Sequence, residues 1–355
     1  MWLYSAGFLS EPRDPDIGRY GGRSKNDSSF EDNMDPESEA YFLHQRVNVH
    51  CLVLPLSPET SFSIQRTWGQ HCNSPSFYSD KFQVQDDDEA PVMKLPSKSS
   101  FGLLCKSLRR IFEADQNFSW ILVTTDDTYA LPENLRYFVA PLNSSKPHYL
   151  GHAMKFWSQP YNWGDAGYTL SKAAVKLVMD KFDTDEKCDK GGKYWKNGDW
   201  YLGKHLYSLG VSVKDTRDHA GKSRFNGHSF RKLLFPGGVS LFDRYWKDSI
   251  YLSQDGPKCC SNYAITFHGL MSKSKVHQLE YLLHHLRPFP QGGKIGNLPA
   301  PLPKADPFLT EEERLKNEAL EKLFSQFLTT PKNMHLLFEK EFSDSDNTVK
   351  GKKNS

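Results

Sequence analysis

A short apolar segment, residues 118–124, is the feature that most constrains the fold of this 355-residue chain. It reads Phe-Ser-Trp-Ile-Leu-Val-Thr, is bounded by polar residues and ends just before Asp126 and Asp127. An apolar run this short is typical of a strand that is buried on both faces, as the strands of parallel sheets are. We therefore expect it to lie within a mostly parallel sheet, with the two carboxylates at its carboxyl end.

Strand-like and helix-like segments alternate on both sides of this run. Further strands are predicted at residues 47–56, 149–152, 167–170 and 211–213. Helices are predicted at residues 61–69, 101–115, 132–139 and 199–209, and after Ser171, which is a suitable N-cap. A surface loop is predicted at 85–99. This alternation predicts an α/β fold, with a mostly parallel central sheet flanked by helices.

The two ends of the chain differ in composition from its middle. Residues 1–44 are rich in Gly, Ser, Asp, Pro and Arg without periodicity, which is typical of a disordered, stem-like region. Residues 291–355 combine a Pro-rich linker, a predicted helix at about 311–328 and a polar tail. We expect one folded domain at residues 45–290, with the last segment as an appendage.

The overall composition excludes some partners. The chain has 45 basic and 43 acidic residues, a net charge of +2, whereas proteins that track nucleic acid usually carry a basic excess or stripe. No nucleic-acid partner is therefore expected. Aromatic residues reach 13%, which fits either an aromatic core or a groove that stacks on bases and sugar rings.

The cysteines and glycosylation sequons indicate the compartment. The six cysteines lack the spacing of a zinc site, and Asn-X-Ser/Thr sequons occur at Asn26, Asn117 and Asn143. Together they favour an oxidising, secretory environment. No segment approaches the ~20 apolar residues that a membrane-spanning helix needs.

Asp126 and Asp127 are the strongest local indication of a functional site. Ligands of open α/β sheets lie at the carboxyl ends of the strands. Adjacent carboxylates at that position can bind Mg²⁺ or Mn²⁺, which prefer oxygen ligands, and a nucleotide diphosphate can bridge to the ion. The alternative is a solvated acidic turn that caps the next helix.

Three further features admit a structural and a functional interpretation. Asp199 opens a predicted helix, either as a first-turn acid favoured by the helix dipole or as a catalytic carboxylate. His268 closes an alternating apolar segment after Cys259 and Cys260, and is either a structural histidine or a ligand. An aromatic cluster is either core or a platform for a sugar ring; its members are Phe242, Tyr245, Trp246 and Tyr251.

These features occur in an order that is specific as a set. The landmarks are Arg-Thr-Trp-Gly-Gln-His-Cys at 66–72, Asp-Asp-Thr-Tyr at 126–129, Ala-Gly-Tyr-Thr-Leu-Ser-Lys at 166–172, Arg-Asp at 217–218, Gly-Lys at 221–222, Gly-Pro-Lys-Cys-Cys-Ser at 256–261, Leu-Glu-Tyr-Leu at 279–282 and Leu-Arg-Pro at 286–288. From about residue 47 to 290 the chain resembles glycosyltransferase family 31 and, within it, the core 1 β1,3-galactosyltransferases.

The resemblance implies a GT-A fold and a defined reaction. Galactose would be transferred with inversion from UDP-galactose to the 3-hydroxyl of GalNAc on Ser or Thr of a glycoprotein, with Mn²⁺ as cofactor. By position, Asp127 and His268 match metal ligands, with Asp126 beside them, and Asp199 matches the catalytic base. The resemblance is also compatible with a homodimer.

The resemblance also assigns the two substrate sides. Thr67 and Trp68 fall near the nucleotide sugar, together with Asp126. Trp246 matches an aromatic residue of the acceptor site, and we add its neighbours Tyr245 and Tyr251.

The chain departs from the family pattern at several positions. Thr125 stands where the family has a third Asp, and Gly198 replaces the Glu before the base. His205 stands where the family has a cysteine, so the disulfide pattern must differ. The expected pairs are Cys51 with Cys72, and Cys188 with Cys259 or Cys260.

Two other functions remain open at this point. One is a catalytically silent homologue that acts as a chaperone for a core 1 synthase, and the other is a family 31 transferase of different sugar specificity, such as a Fringe-like enzyme. The joint presence of Asp126, Asp127, Asp199 and His268 favours an enzyme. The resemblance further implies a Golgi membrane protein with its catalytic domain in the lumen. Because no anchor is visible, we expect a truncated gene model, with a secreted form as the alternative.

Overall fold

The structure is a computed structural model that describes residues 39–84, 92–115, 117–193, 197–269 and 273–286. The chain divides into one unit of residues 1–137 and 144–297 and a second of residues 138–143 and 298–355. The predicted appendage at 291–355, with its helix, lies outside the described residues, as does most of the predicted stem. A helix, Glu39–Arg46, spans the predicted end of that stem at residue 44.

The secondary structure alternates as predicted. The strands are β1 (Val49–Leu54), β2 (Ser74–Ser79), β3 (Val92–Lys94), β4 (Trp120–Thr125), β5 (Thr128–Ala130), β6 (Tyr149–Gly151), β7 (Ala153–Phe156), β8 (Gln159–Asn162), β9 (Tyr168–Ser171), β10 (Phe225–Asn226) and β11 (Thr266–His268). The α-helices are α1 (Glu39–Arg46), α2 (Pro58–Gln65), α3 (Ser100–Ala114), α4 (Pro132–Val139), α5 (Lys172–Lys181), α6 (Asp185–Lys190), α7 (Gly198–Ser208), α8 (Phe230–Leu234), α9 (Arg244–Lys247) and α10 (Lys273–Glu280). Short 3-10 helices span Trp68–His71 and Gly256–Lys258, and a π-helical turn spans Tyr281–His285.

A six-stranded sheet with the order β3-β2-β1-β4-β9-β6 forms the centre of the first unit. Its first four strands are parallel, and β9 is antiparallel to both of its neighbours. A smaller sheet, β10-β11-β5, pairs β11 parallel to β10 and antiparallel to β5. The predicted class, α/β with a mostly parallel central sheet flanked by helices, is confirmed.

The main core lies between this sheet and a layer formed by α3, α5, α6 and α7. In α3 the buried residues Leu104, Leu108 and Ile111 recur every three to four positions, so one face of the helix covers the sheet. The hydroxyl of Ser99 accepts a hydrogen bond from Gly102 N at 3.0 Å, a cap that stabilises a helix by about 1 kcal/mol. Truncation of a fully buried leucine such as Leu108 costs roughly 2–5 kcal/mol, so packing contributes more than capping to the placement of α3.

The opposite face of the sheet is also covered. Successive strand residues point to opposite faces, so Leu52 packs in the main core while Cys51 faces the other side. There Cys51 forms a disulfide with Cys72, which ties β1 to the end of the 3-10 helix Trp68–His71. Burial on both faces explains why residues 118–124 are a continuous apolar run.

The disulfide prediction was correct for one pair and wrong for the other. Cys51–Cys72 is present, but Cys188 pairs with Cys105, and Cys259 pairs with its neighbour Cys260. The reason is that α3 and α6 lie side by side in the same helix layer, which places the Cα atoms of Cys105 and Cys188 5.5 Å apart.

Several predicted elements also differ from the structure. Residues 211–213 form no strand beyond a single bridge between Val213 and Tyr149. The predicted loop at 85–99 contains β3, and the predicted helix at 61–69 begins earlier, because Pro58 suits the first helical position. Of the alternating segment 259–268, only β11 is a strand. Among the described residues, no helix has the length and apolarity needed to cross a membrane.

Candidate active site

The turn between β4 and β5 carries the two carboxylates, and its first member is engaged in the fold. Asp126 is 3% exposed, and its Oδ2 accepts hydrogen bonds from Leu56 N at 2.8 Å and Ser57 N at 3.2 Å. The Thr60 hydroxyl donates to the same oxygen. Asp126 therefore fastens the start of α2 to the end of β4, where neighbouring parallel strands finish side by side.

Asp127 is brought together with His268 by strand pairing. β5 and β11 are antiparallel with His268 opposite Thr128, so the imidazole lies beside the residue that precedes β5. The Nε2 atom of His268 is 3.5 Å from Asp127 Oδ2, and its Nδ1 is 3.3 Å from the Thr128 hydroxyl. The Oδ1 atom of Asp127 is buried without a hydrogen-bond partner among the described residues.

The environment of Asp127 disfavours its negative charge. Burial raises the pKa of Asp127, and the neighbouring carboxylates Asp126 and Asp165 raise it further, against the opposing effect of His268. A buried carboxylate near other carboxylates, with one oxygen that has no hydrogen-bond partner among the described residues, is suited to bind a cation. Thr125, at the position of the family's third Asp, instead has its hydroxyl 3.3 Å from that of Thr128.

Asp199 lies in the first turn of α7 and is held by backbone amides. Gly164 N donates to Oδ2 at 2.7 Å, and Trp200 N donates to Oδ1 at 2.8 Å. Burial raises the pKa of Asp199 to about 6, although these two hydrogen bonds lower it and the charge of Asp165 adds to the rise. A carboxylate whose pKa lies near neutral is suited to accept a proton.

One loop, residues 163–167, links Asp199 to the pair of Asp127 and His268. Its Gly164 contacts Asp199, while the Asp165 carbonyl accepts a hydrogen bond from the Thr128 hydroxyl at 3.2 Å. Gly164 approaches Asp199 so closely that an added Cβ would lie 3.1 Å from Oδ2. The structure therefore joins three segments that are far apart in the sequence. Asp165, whose charge acts on both Asp127 and Asp199, was not predicted as a site residue.

The predicted acceptor aromatics are placed differently from one another. Tyr245 is 1% exposed, and its ring stacks on His152 with centroids 4.9 Å apart, so it belongs to the core. Trp246 is partly exposed and meets Tyr245 edge-on at 4.7 Å. Tyr251 is also partly exposed, beneath the Arg217 guanidinium at 5.5 Å. Phe242 is exposed.

A small cavity beside Asp199 was not predicted. Its lining includes Trp200 and Arg244, together with Phe156, Tyr161 and Asn197. The Arg244 guanidinium donates to the Tyr161 hydroxyl at 3.1 Å. Arg244 begins α9, which contains Trp246, and the charge of Arg244 acts on Asp199. The sequence signal that could have indicated this cavity is Trp200, an aromatic residue directly after the candidate base Asp199.

The two residues predicted beside the nucleotide sugar lie in the core. Thr67 is fully buried, and its hydroxyl donates to the Ser63 carbonyl at 2.7 Å, which closes the end of α2. Trp68 is also fully buried. The structure places neither side chain together with Asp127, His268 and Asp199, so their contact with a nucleotide stays a prediction.

Comparison with known proteins supports the enzyme class. Glycoprotein-N-acetylgalactosamine 3-beta-galactosyltransferase 1 of Xenopus laevis is 28% identical to the chain over 256 residues, covering 69% of this chain and 68% of that protein. No protein-family model matches the chain. The predicted resemblance is thereby confirmed, and the similarity supports a glycosyltransferase.

Solved structures of glycosyltransferases are more distant. One, involved in glycosylation of the major capsid of PBCV-1, is 10% identical and covers 66% of this chain and 100% of that one, with a TM-score of 0.34. A Drosophila β1,4-galactosyltransferase 7 mutant in complex with manganese, UDP-Gal and xylobiose is 11% identical over 47% of this chain and 64% of that one, with a TM-score of 0.29. TM-scores below 0.5 do not establish a shared fold.

Proposed function

We propose that the chain is an inverting GT-A galactosyltransferase that moves galactose from UDP-galactose to the 3-hydroxyl of GalNAc on Ser or Thr of glycoproteins. The observation that carries the proposal is the convergence of Asp127, His268 and Asp199 around the loop 163–167. The similarity to a relative that is named for this reaction supports the choice of donor and acceptor.

The residues around Asp127 fit the Mn²⁺ that such a reaction uses. Asp127 offers a buried oxygen without a hydrogen-bond partner among the described residues, and His268 offers an imidazole nitrogen 3.5 Å from the same carboxylate. A carboxylate and an imidazole together suit a borderline divalent ion. We assign the ion to Asp127 and His268, with Asp126 as the supporting residue that fixes the turn. When bound, Mn²⁺ would supply Lewis-acid stabilisation of the negative charge on the departing diphosphate.

Asp199 is the base of the proposed reaction. Its carboxylate takes the proton of the acceptor 3-hydroxyl while the hydroxyl oxygen forms a bond to the anomeric carbon of galactose. The bond from that carbon to the UDP oxygen breaks, and UDP leaves with the electron pair. Attack opposite to the leaving group inverts the anomeric configuration, so a second catalytic carboxylate is unnecessary.

The acceptor side of the proposal combines predicted and newly found residues. Trp246 and Tyr251 keep exposed ring surface on which a sugar can stack, whereas the buried Tyr245 supports Trp246 from below. Trp200 and Arg244 line the small cavity, and the charge of Arg244 acts on Asp199. Action in the Golgi lumen is part of the proposal, and it is supported by the pairing of all six cysteines in disulfides.

The test is transfer from UDP-galactose to a GalNAc-bearing peptide with Mn²⁺, with the linkage of the product determined by NMR. We expect a β1,3-linked galactose, and we expect Asp127→Ala to lose roughly a hundredfold or more in rate, because removal of one electrostatic stabiliser of a transition state costs about this much. Asp180→Asn is the matched control, since Asp180 is an exposed carboxylate at the end of α5.

A folded wild-type protein that transfers no galactose would overturn the proposal. Transfer from a different UDP-sugar would then indicate a transferase of other specificity. No transfer from any donor would favour the chaperone alternative.

A further inference from the structure

A second group of titratable side chains lies in the first unit, apart from Asp127, His268 and Asp199. We call it the His–Glu cluster; it consists of His71, Glu133, Glu280 and His284. His71 ends the 3-10 helix and is 3% exposed. Its Nδ1 bonds to Glu133 Oε1, and its Nε2 lies 3.1 Å from Glu280 Oε1. Both nitrogens of a buried imidazole are thus directed at carboxylates.

His284 completes the group without a hydrogen bond of its own. Its ring centroid is 4.1 Å from that of His71, and its Nε2 is buried with no hydrogen-bond partner in the part of the chain that the structure describes. One ligand atom each from His71, Glu280 and His284 lies within 4.8 Å of the others. A buried nitrogen lone pair or N–H without a partner is costly, so its presence here requires a reason.

We propose that His71, Glu280 and His284 bind a zinc ion that is separate from the catalytic metal. Two imidazoles and one carboxylate are a ligand set that zinc takes in proteins, with a fourth position left for water or a further ligand. Manganese and magnesium prefer sets dominated by oxygen, so a set with two imidazoles favours zinc over them.

The surroundings of these ligands have the form that zinc sites use. A metal-bound histidine almost always donates its other N–H to a carboxylate, a backbone carbonyl or water, and Glu133 is in this position on His71. A ligating carboxylate is in turn hydrogen-bonded, and the Tyr129 hydroxyl donates to Glu280 Oε2 at 2.8 Å. Outer partners are therefore in place for two of the three ligands.

Local backbone geometry explains how two ligands come from one segment. Glu280 and His284 are four positions apart, which places both side chains on the same face of a helix. His284 lies in the π-helical turn after α10, where Leu286 N bonds to the Tyr281 carbonyl at 2.7 Å. Such turns are rare and occur frequently at functional sites.

Charge also favours a cation at this position. Glu133 and Glu280 are two carboxylates around one imidazole. The charge of Arg136 acts on Glu133, but its guanidinium donates to the His71 carbonyl at 2.7 Å, and among the described residues it forms no ion pair with either carboxylate. A divalent ion on His71 Nε2 would offset both carboxylates. The competing occupant is a proton on His71, so zinc content decides between the two.

The ion would fasten the end of α10 to the 3-10 helix that follows α2. Tyr129, which contacts Glu280, is two residues from Asp127, so the site would also support the strand that orders the catalytic metal ligands. Its role in this proposal is structural.

The experiment measures zinc in the full chain purified without chelator, by mass spectrometry of the metal after gel filtration. We expect one zinc per chain in the wild type, its loss in His284→Gln, and its retention in Asp127→Ala. His277→Gln is the matched control, because His277 is an exposed histidine of α10.

Replacement of zinc by Co²⁺ gives an independent, spectroscopic readout. Wild type stripped with a chelator and loaded with Co²⁺ alone should develop the visible absorption of low-coordinate cobalt, and His284→Gln should not. Wild type that retains no zinc and gives no cobalt spectrum would overturn the proposal in favour of a protonated His71. Equal zinc content in wild type and His284→Gln would overturn the assignment of the ligands.

Discussion

The strand-end cluster of Asp127, His268 and Asp199 and the His–Glu cluster contain similar residues in opposite electrostatic conditions. In the strand-end cluster, burial raises the pKa of Asp199 to about 6, against the opposing effects of two backbone amides and of the Arg244 charge. In the His–Glu cluster, burial acts on Glu133 in the same direction, but a protonated His71 outweighs it and brings the pKa of Glu133 to about 2. Asp199 is thus hydrogen-bonded by backbone amides, whereas Glu133 is hydrogen-bonded directly to an imidazole.

The largest expected effect is the loss of activity in Asp199→Asn. If Asp199 is the base, kcat should fall by roughly 10²–10⁴-fold, the usual contribution of a general base. Two effects on stability oppose each other: the substitution removes a charge that the folded protein disfavours, but the new amide NH₂ faces one of the two backbone N–H donors that Asp199 accepts from. Galactose transfer and thermal unfolding, measured on the same preparation, show whether the protein is folded when activity is lost. Near wild-type activity of a folded Asp199→Asn protein would mean that Asp199 is not the base.

Glu133→Gln should show the reverse pattern. It removes the charge of a carboxylate that is hydrogen-bonded to the buried His71, whether that imidazole is protonated or holds the proposed zinc. Loss of one partner of a buried charged pair costs at most roughly 3–5 kcal/mol, and Glu133 keeps 22% of its side chain exposed. Denaturant unfolding should show a clear loss of stability, while transfer activity measured well below the melting temperature should stay near that of the wild type.

Lys176→Ala provides the baseline for that measurement. Lys176 and Asp180 form an exposed pair four residues apart on α5, and pairs of this kind contribute about 0–1 kcal/mol. If Glu133→Gln were no more destabilising than Lys176→Ala, the distinction between the two clusters would be lost.

The smallest effect concerns pH. Because Asp199 must be ionised to accept a proton, kcat should fall about tenfold per unit below a pH of about 6. The effect on stability has the opposite sign. The pKa of Asp199 in the folded protein is raised above that of an ordinary aspartate, so its contribution to stability declines as pH rises to about 6 and is constant above it. A pH–rate profile of the wild type checks the first statement. If kcat did not change between about pH 5 and about pH 7, Asp199 would be excluded as the base.

The sequence predicted those helices and strands that are determined by residues close to one another in the chain. α3 followed from its apolar spacing, and α5 followed from its N-cap, since the Ser171 hydroxyl accepts from Ala174 N at 3.3 Å. The strand at residues 118–124 followed from its apolar run. Each of these depends on residues within a few positions of one another, so a single sequence contains the information.

The features that sequence reasoning missed depend on distant contacts. His71 meets Glu133 and Glu280 from 62 and 209 positions away, and no periodicity relates such residues. The three-residue strands β5 and β11 are too short for a period to show. Resemblance supplied Asp127, His268 and Asp199, but it could not indicate that Thr67 and Trp68 are enclosed by the core.

The pairing of β11 has a consequence for how relatives of this chain can diverge. Strand residues alternate between faces, so a slip of one position would turn the His268 side chain to the opposite face and present Phe267 in its place. A single-residue insertion or deletion within residues 266–268 would therefore remove His268, the proposed metal ligand, from the site even if every site residue were still encoded. We expect length variation in this lineage to be excluded from that strand and to accumulate in the connections around it.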